Sequence, residues 1–322
     1  MRSPDSLATV LLSARLSGDD VAPLKASEYW MLRSVVATPG ALLGATVSSL
    51  VASYGLDEVL STRVARLVDR GTAMAFELER LDSSGVSVLT PFDEHAPRRL
   101  VERLGHRAPP LLYCAGAVAL LDGPGIAVVG SRDSSEVALA VARSAGEHVA
   151  AMGRTLVTGF TSGLEHAAVN AALTSQGSAV VMLAEPLRRT LRQPDVRRSV
   201  YSGHFALCTP YGPDVSFTNA NATGRSKLIY AQSQLTLVVS CLKASGITWS
   251  GAVEAIVQRT GRVAVWRGHG EGPGNERLQV EVGLAMSSFD DLDAMLSVPE
   301  LAPAPAPAPA FEPPAAPSPL FD

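Results

Sequence analysis

From Val86 onward, short apolar runs alternate with longer stretches of helical period. The apolar runs fall at 86–90, 111–114, 126–129, 155–158, 178–183, 205–208, 235–240 and 262–266. Helical periodicity fills the gaps near 135–152, 163–175, 219–232 and 248–260. Runs that are apolar throughout, rather than at alternate positions, belong to strands buried on both faces. Strands of that kind separated by helices of this length predict an α/β domain with a doubly wound parallel sheet. Further helices are expected near 276–286 and 290–297.

Before Val86 the pattern is helical. Ser27 is placed to cap a helix reaching Val36, and Thr38 followed by Pro39 reads as an N-cap with proline at the first helical position. That second helix is expected to stop at Gly55. Asp57 opens a third that ends near Gly71, and Thr72–Asp82 reads as a fourth. Val59, Val64, Leu67 and Val68 recur at helical spacing. With few basic residues and no clear Gly-x-Gly hairpin, the module is expected to pack or to interact rather than to grip DNA. Residues 1–26 show weak periodicity and are expected to be loosely ordered. From Leu301 the chain is rich in Pro and Ala, which predicts an extended arm without a packed core. Its end, Pro319–Asp322, offers Phe321 either to solvent or as an anchor in a partner's groove.

No apolar run of the 322 residues approaches the ~18 that a membrane span needs. Leu7–Leu12 is too short and lies between Asp5 and Asp19–Asp20, so no signal peptide is expected. Cys114, Cys208 and Cys241 are odd in number and far apart. They suggest neither a disulfide framework nor a zinc site, and they fit core packing in a reducing cytoplasm. The net charge is −4, but residues 278–322 hold seven acids and no Lys or Arg, which leaves residues 1–277 at +3. The body of the chain is therefore mildly basic, and the acidic balance belongs to its C-terminal part.

Ligands of open α/β sheets sit beyond the carboxyl ends of the strands. The run 126–129 ends in Gly130, Ser131 and Arg132. The run 155–158 ends in Gly159, Phe160, Thr161, Ser162 and Gly163, where a helix begins. After 235–240 come Ser245, Gly246 and Thr248 at another helix start, and after 262–266 a glycine-rich stretch, Gly268–Asn275. Glycines let successive N–H groups point at one anion, and helix starts add their dipole. Four such loops on one sheet predict a phosphate or nucleotide crevice. Arg188, Arg189, Arg192, Arg197 and Arg198 follow the run 178–183, either as a solvated face or as phosphate contacts. Arg225 and Lys227 lie in the helix 219–232. Phe160, Phe217, Tyr230 and Trp249 are near these loops and could stack bases or fill the core. There is no Gly-x-Gly-x-x-Gly, Gly-Lys-Ser/Thr, Gly-x-Ser-x-Gly or histidine-rich cluster, so no catalytic residue, metal or cofactor is assigned. Of the neighbours Glu165 and His166, one is expected to cap the loop and the other to face solvent.

The order and spacing of these motifs resemble the DprA/Smf DNA-processing family over roughly residues 28–290. Val128–Arg132 is similar to its VGSR signature, and Thr158–Glu165 with Ala171–Leu173 to its SGxAxGID…AL segment. Phe217 with Arg225–Ile229 resembles F…RNRII, Ser245–Thr248 with Gly261–Val263 resembles SGSLxTA…GR, and Gly274–Leu278 with Gly283 resembles GxNxLIxxGA. Leu89–Thr90, Pro110–Tyr113 and Gly116 fit the approach to these motifs. The resemblance implies an extended Rossmann-like domain over 86–298, related to nucleotide-sensing domains, after a helical module of the SAM or helix-hairpin-helix kind over 1–85 and before a disordered tail over 299–322. It further implies a homodimer that binds single-stranded DNA and helps load a recombinase, without catalysis. The DNA contacts carried over are Gly130, Ser131, Arg132, Gly159, Ser162, Gly163, Arg225, Lys227, Ser245, Gly246 and Thr248, with Arg188, Arg189 and Arg192 as additional basic contacts. This chain has Glu165 where the family has Asp, Arg-Ser-Lys in place of Arg-Asn-Arg, and the Pro/Ala stretch where many members carry a winged helix. The same fold also serves nucleotide sensors in defence or signalling systems. It serves phosphoribohydrolases too, whose motif needs a glutamate three residues after Thr248; that position is Gly251, and Glu254 comes one helical turn later.

Overall fold

The computed structural model describes residues 2–16, 18–161, 163–300 and 302. The tail beyond, and with it the expectation for Pro319–Asp322, lies outside the described residues.

The chain opens with α1 (Pro4–Ser13), α2 (Ala26–Val35), α3 (Val47–Tyr54), α4 (Glu58–Asp69) and α5 (Gly71–Ser83). The loose order expected over residues 1–26 is corrected by α1. Ser3 caps it by accepting from the Ser6 N–H, Pro4 starts it, and Ala8, Val10, Leu11 and Leu12 are buried. Its period is weak because it is covered on more than one side. Val10 and Leu11 join the core under the sheet, whereas Leu12 joins that of the helical module. Arg70 fastens the following segment, donating to Ala14 O at 2.5 Å and to Asp19 at 2.6 Å. Lys25, not Ser27, is the N-cap of α2, and its N–H donates to Glu28 at 2.6 Å. The expected Thr38–Gly55 helix is two pieces, a 3-10 turn at Pro39–Leu42 and then α3, separated at Gly44, whose φ of +76° is left-handed. Asp57 caps α4 by accepting from the Leu60 N–H at 2.8 Å, as the sequence predicts.

There follow β1 (Ser87–Leu89), α6 (Arg98–Leu104), β2 (Leu112–Gly116), β3 (Gly125–Gly130), α7 (Glu136–Ala151), β4 (Thr155–Thr158), α8 (Gly163–Thr174) and β5 (Ser178–Met182). The arginine-rich stretch forms α9 (Leu187–Leu191) and α10 (Pro194–Tyr201). The last part holds β6 (Phe205–Thr209), α11 (Asn219–Gln232), β7 (Ser233–Ser240), α12 (Gly246–Val257), β8 (Val263–Trp266), α13 (Asn275–Val282), β9 (Ala285–Met286) and α14 (Phe289–Leu296). The strands form one sheet in the order β1-β2-β6-β5-β4-β3-β7-β8-β9. All neighbours from β6 to β9 are parallel, while β1 and β2 add an antiparallel edge. The helix expected over 276–286 stops at Val282 because Gly283 turns left-handed (φ +81°), and β9 then extends the sheet.

Residues on successive positions of each parallel strand enter opposite cores. Ile126 and Val128 of β3, Ala179 and Val181 of β5 and Leu235 and Leu237 of β7 pack with α7 and α8. Ala127 and Val129, Val180 and Met182, and Val238 pack with α11, α12 and α13. Both faces are covered, and this produces uninterrupted apolar runs. The three thiols are free and buried, with Cys114 and Cys208 direct partners across β2 and β6. Burial pushes the Cys114 thiol well above its ordinary value, and Cys208 beside it adds to the rise; burial alone takes Cys241 up to about 12. Among the described residues no helix is long and apolar enough to cross a membrane.

Candidate nucleic-acid interface

In the sheet, β3 lies between β4 and β7. The chain leaves β3 through α7 to reach β4 on one side, and reaches β7 on the other only through α11. Connections diverging from adjacent strands leave a crevice at their carboxyl ends. Three turns build its walls, those after β3, β4 and β7; the glycine-rich stretch Gly268–Asn275 after β8, expected as a fourth, contributes no residue to the lining.

At the end of β3, Gly130 has no room for a Cβ, which would meet Leu164 at 2.6 Å. The Ser131 N–H donates to Ser240 O at 2.8 Å and ties the ends of β3 and β7 together. Ser134 Oγ donates to Ser131 O at 2.7 Å, and Ser135 caps α7 by accepting from the Ala138 N–H at 3.2 Å. Between these anchors Arg132 and Asp133 are exposed. The Arg132 guanidinium sits 5.4 Å from the centre of the Phe217 ring, a cation–π arrangement.

The turn after β4 is held from inside. Thr161 donates to Glu165 Oε2 through its N–H at 2.8 Å and its hydroxyl at 3.1 Å. Arg225 Nη2 donates to Thr161 Oγ1 at 3.1 Å, and Nη1 lies 3.7 Å from Glu165 Oε1. The Arg225 and Glu165 side chains are only 5% and 6% exposed, so this pair serves the turn first. A Cβ on Gly159 would fall 1.7 Å from Arg225 Nη1. Glu165 thus caps the loop as expected. His166 does not face open solvent; it is half-buried, its ring 3.7 Å from that of Phe160 and its Nε2 3.2 Å from Phe160 O.

Beyond β7, wholly buried Asn275 accepts from the Cys241 N–H at 2.9 Å and donates to Val239 O at 2.8 Å and Trp266 O at 2.9 Å. This fixes the turn that leads to Ser245. Ser245 is the N-cap of α12 but its side chain makes no cap bond, and Ser245–Thr248 line the crevice, so the amino end of α12, with the positive end of its dipole, borders it. The Tyr230 hydroxyl donates to Thr248 O at 3.3 Å, and its full burial raises the phenol above its ordinary value.

The crevice has a volume of about 550 Å³. It brings together Gly130, Ser131, Arg132, Arg225, Ser245, Gly246 and Thr248, and adds Asn219, Ser226, Trp249 and Ser250. Of these last, only Trp249 stands out in the sequence; Asn219, Ser226 and Ser250 carry no motif of their own. Gly159 stands behind Arg225, and Gly163 borders a separate shallow groove between α7 and α8. Ser162 lies outside the described residues. Lys227 is on the other side of α11, with Nζ 2.9 Å from Glu254 Oε1. Arg188 is not in the crevice wall; its Nε is 3.7 Å from Asp214 Oδ2, and Arg189 and Arg192 are exposed on and just after α9. Among the described residues no group of His, Cys, Asp and Glu could hold a metal ion.

DNA processing protein A from Streptococcus pneumoniae shares this fold with a TM-score of 0.65 over 85% of this chain and 98% of its own, at 19% identity. DNA processing protein A from Helicobacter pylori, whose structure is described as giving insight into its single-stranded DNA binding mode, matches with a TM-score of 0.53 over 66% of this chain and 95% of its own, at 17% identity. No curated protein matches the sequence. Residues 87–272, more than half of the chain and all three turns of the crevice, match the family described as DNA recombination-mediator protein A. The chain therefore belongs to the DNA recombination-mediator protein A family of DNA-processing proteins.

Proposed function

We propose that the chain binds single-stranded DNA in the switch-point crevice, as a non-enzymatic DNA-processing protein that acts as a homodimer in the cytoplasm with a recombinase as partner. The observation that carries this reading is Arg132 standing over the Phe217 ring beside the open amino end of α12. The guanidinium and the α12 N–H groups suit phosphates, while Phe217 and Trp249 suit stacked bases. Arg225 is a positioning residue here. Its contacts with Glu165 and Thr161 set the turn after β4, and its family-implied DNA contact takes second place.

The test is fluorescence anisotropy with a labelled oligothymidylate across a salt series. Affinity is expected to fall steeply with salt as counterions are released. Arg132→Glu should weaken binding about tenfold on every sequence, and Phe217→Ala should cost about 1–3 kcal/mol, the usual worth of one stacked base. Absence of binding at low salt, with thermal stabilisation by a mononucleotide instead, would replace this reading by nucleotide sensing.

A further inference from the structure

A second concavity, of about 430 Å³, lies across α11 from the crevice, in the seam between the helical module and the sheet. Arg15 follows α1 at one rim, Arg107 and Pro109–Pro110 precede β2 at another, and Tyr211 follows β6. Gly224 and Lys227 of α11 complete the wall. No acid lines it. Glu254, just outside, is 2.9 Å from Lys227 Nζ and 3.7 Å from Arg107 Nη1, so one carboxylate is divided between two cations. Arg15 is exposed, and among the described residues no carboxylate pairs with it. The groove is therefore positive, which suits an anionic ligand.

Its other surfaces are flat and rigid. The Tyr211 hydroxyl donates to Asn221 O at 2.9 Å, which holds the ring along α11. Only glycine at 224 permits this, since a Cβ there would lie 2.4 Å from the Tyr211 oxygen. Pro109, Pro110 and Pro210 add fixed apolar faces. An aromatic ring and prolines beside cations are the chemistry that receives a base together with its phosphates.

The two concavities share α11 as a wall. Arg225, Ser226 and Ile229 face the crevice, while Gly224, Lys227 and Leu228 face the groove. Asn219 at the amino end of α11 lines the crevice, and Asn221, two residues on, is the one that Tyr211 holds. We infer that the seam groove is a second nucleic-acid subsite, which takes the part of a single strand that continues from the crevice over the amino end of α11. This rests on the single-strand reading of the crevice.

The experiment compares oligothymidylates of about 5 and about 15 nucleotides, a span typical of single-strand sites, on the full chain. The longer strand is expected to bind at least tenfold more tightly to the wild type. Arg15→Glu should remove most of that advantage, lower the salt slope for the long strand by about 0.7 per lost phosphate contact, and leave the short strand's affinity in place. Arg143→Glu, an exposed charge reversal on α7, is the control and should change neither. The subsite is overturned if length brings no gain, or if Arg15→Glu behaves as Arg143→Glu does. Failure of the wild type to bind either strand would overturn the crevice reading and this one with it.

Discussion

Asn275 has no exposed surface, yet it makes three hydrogen bonds that reach β7, β8 and the turn between β7 and α12. Asn275→Ala should lower stability by about 3 kcal/mol, because the Cys241 N–H and two carbonyls lose their partner in a dry interior. The check is a shift of the urea midpoint at unchanged slope. The Arg225–Glu165 pair belongs to the same class of buried polar support. Arg225→Ala takes the cation from a buried carboxylate and should cost about 3–5 kcal/mol. A double-mutant cycle with Glu165→Ala should then show a coupling of about 1–3 kcal/mol, where additivity would mean that the two act independently. At this scale the sequence showed residue types and not their direction. Arg225 and Lys227 both carry charge, but two positions on a helix are about 200° apart, so they cannot line one wall. That signal was present in the helical period. The partner that turns Arg225 inward, Glu165, lies sixty positions away and could not be found by spacing.

Among the elements, long buried strands and capped helices were legible, and short or doubly covered ones were not. β3, β5 and β7 appear as apolar runs because both faces are buried, and Asp57 and Gly55 mark helix ends by their own chemistry. α1 escaped notice because a helix buried on several sides has no polar stripe to reveal its period, and β9 is only two residues long. The junction of α2 and α4 yields a prediction in pH. Arg63 donates to Glu28 at 2.8 and 3.1 Å and to Pro23 O at 2.6 Å. Burial pushes the Glu28 carboxyl up, but the Arg63 bonds and the Lys25 N–H together outweigh it and hold the group below its ordinary value. A carboxyl depressed in the folded state binds fewer protons than in the unfolded one. Its stabilisation is therefore present above the ordinary glutamate range and is lost as pH falls through the depressed value. Arg63→Gln should lower the urea midpoint at neutral pH and flatten its fall between roughly pH 5 and 3. A parallel curve, merely displaced, would contradict the role given to Glu28.

For the whole molecule, strand order rather than any one motif decides where ligands can go. The alternation of strands and helices was enough to expect the doubly wound sheet, and the carboxyl-end rule then located the crevice. The seam groove was hidden because its walls come from α1, the segment before β2, the turn after β6 and α11, which no local pattern connects.

The central position of β3 also governs when the site comes into being. Its partner β4 follows after one helix, but β7, the other half of the floor, arrives only after residues 131–232. Closing so long a loop is slow compared with forming helices, since chain entropy is lost before any contact compensates for it. On refolding from urea, helical circular dichroism should return first, and oligonucleotide binding should recover only with the slowest phase. A growing chain that ends before Ser233 has the Arg132 turn but no opposing wall, so during synthesis the crevice is among the last features to exist.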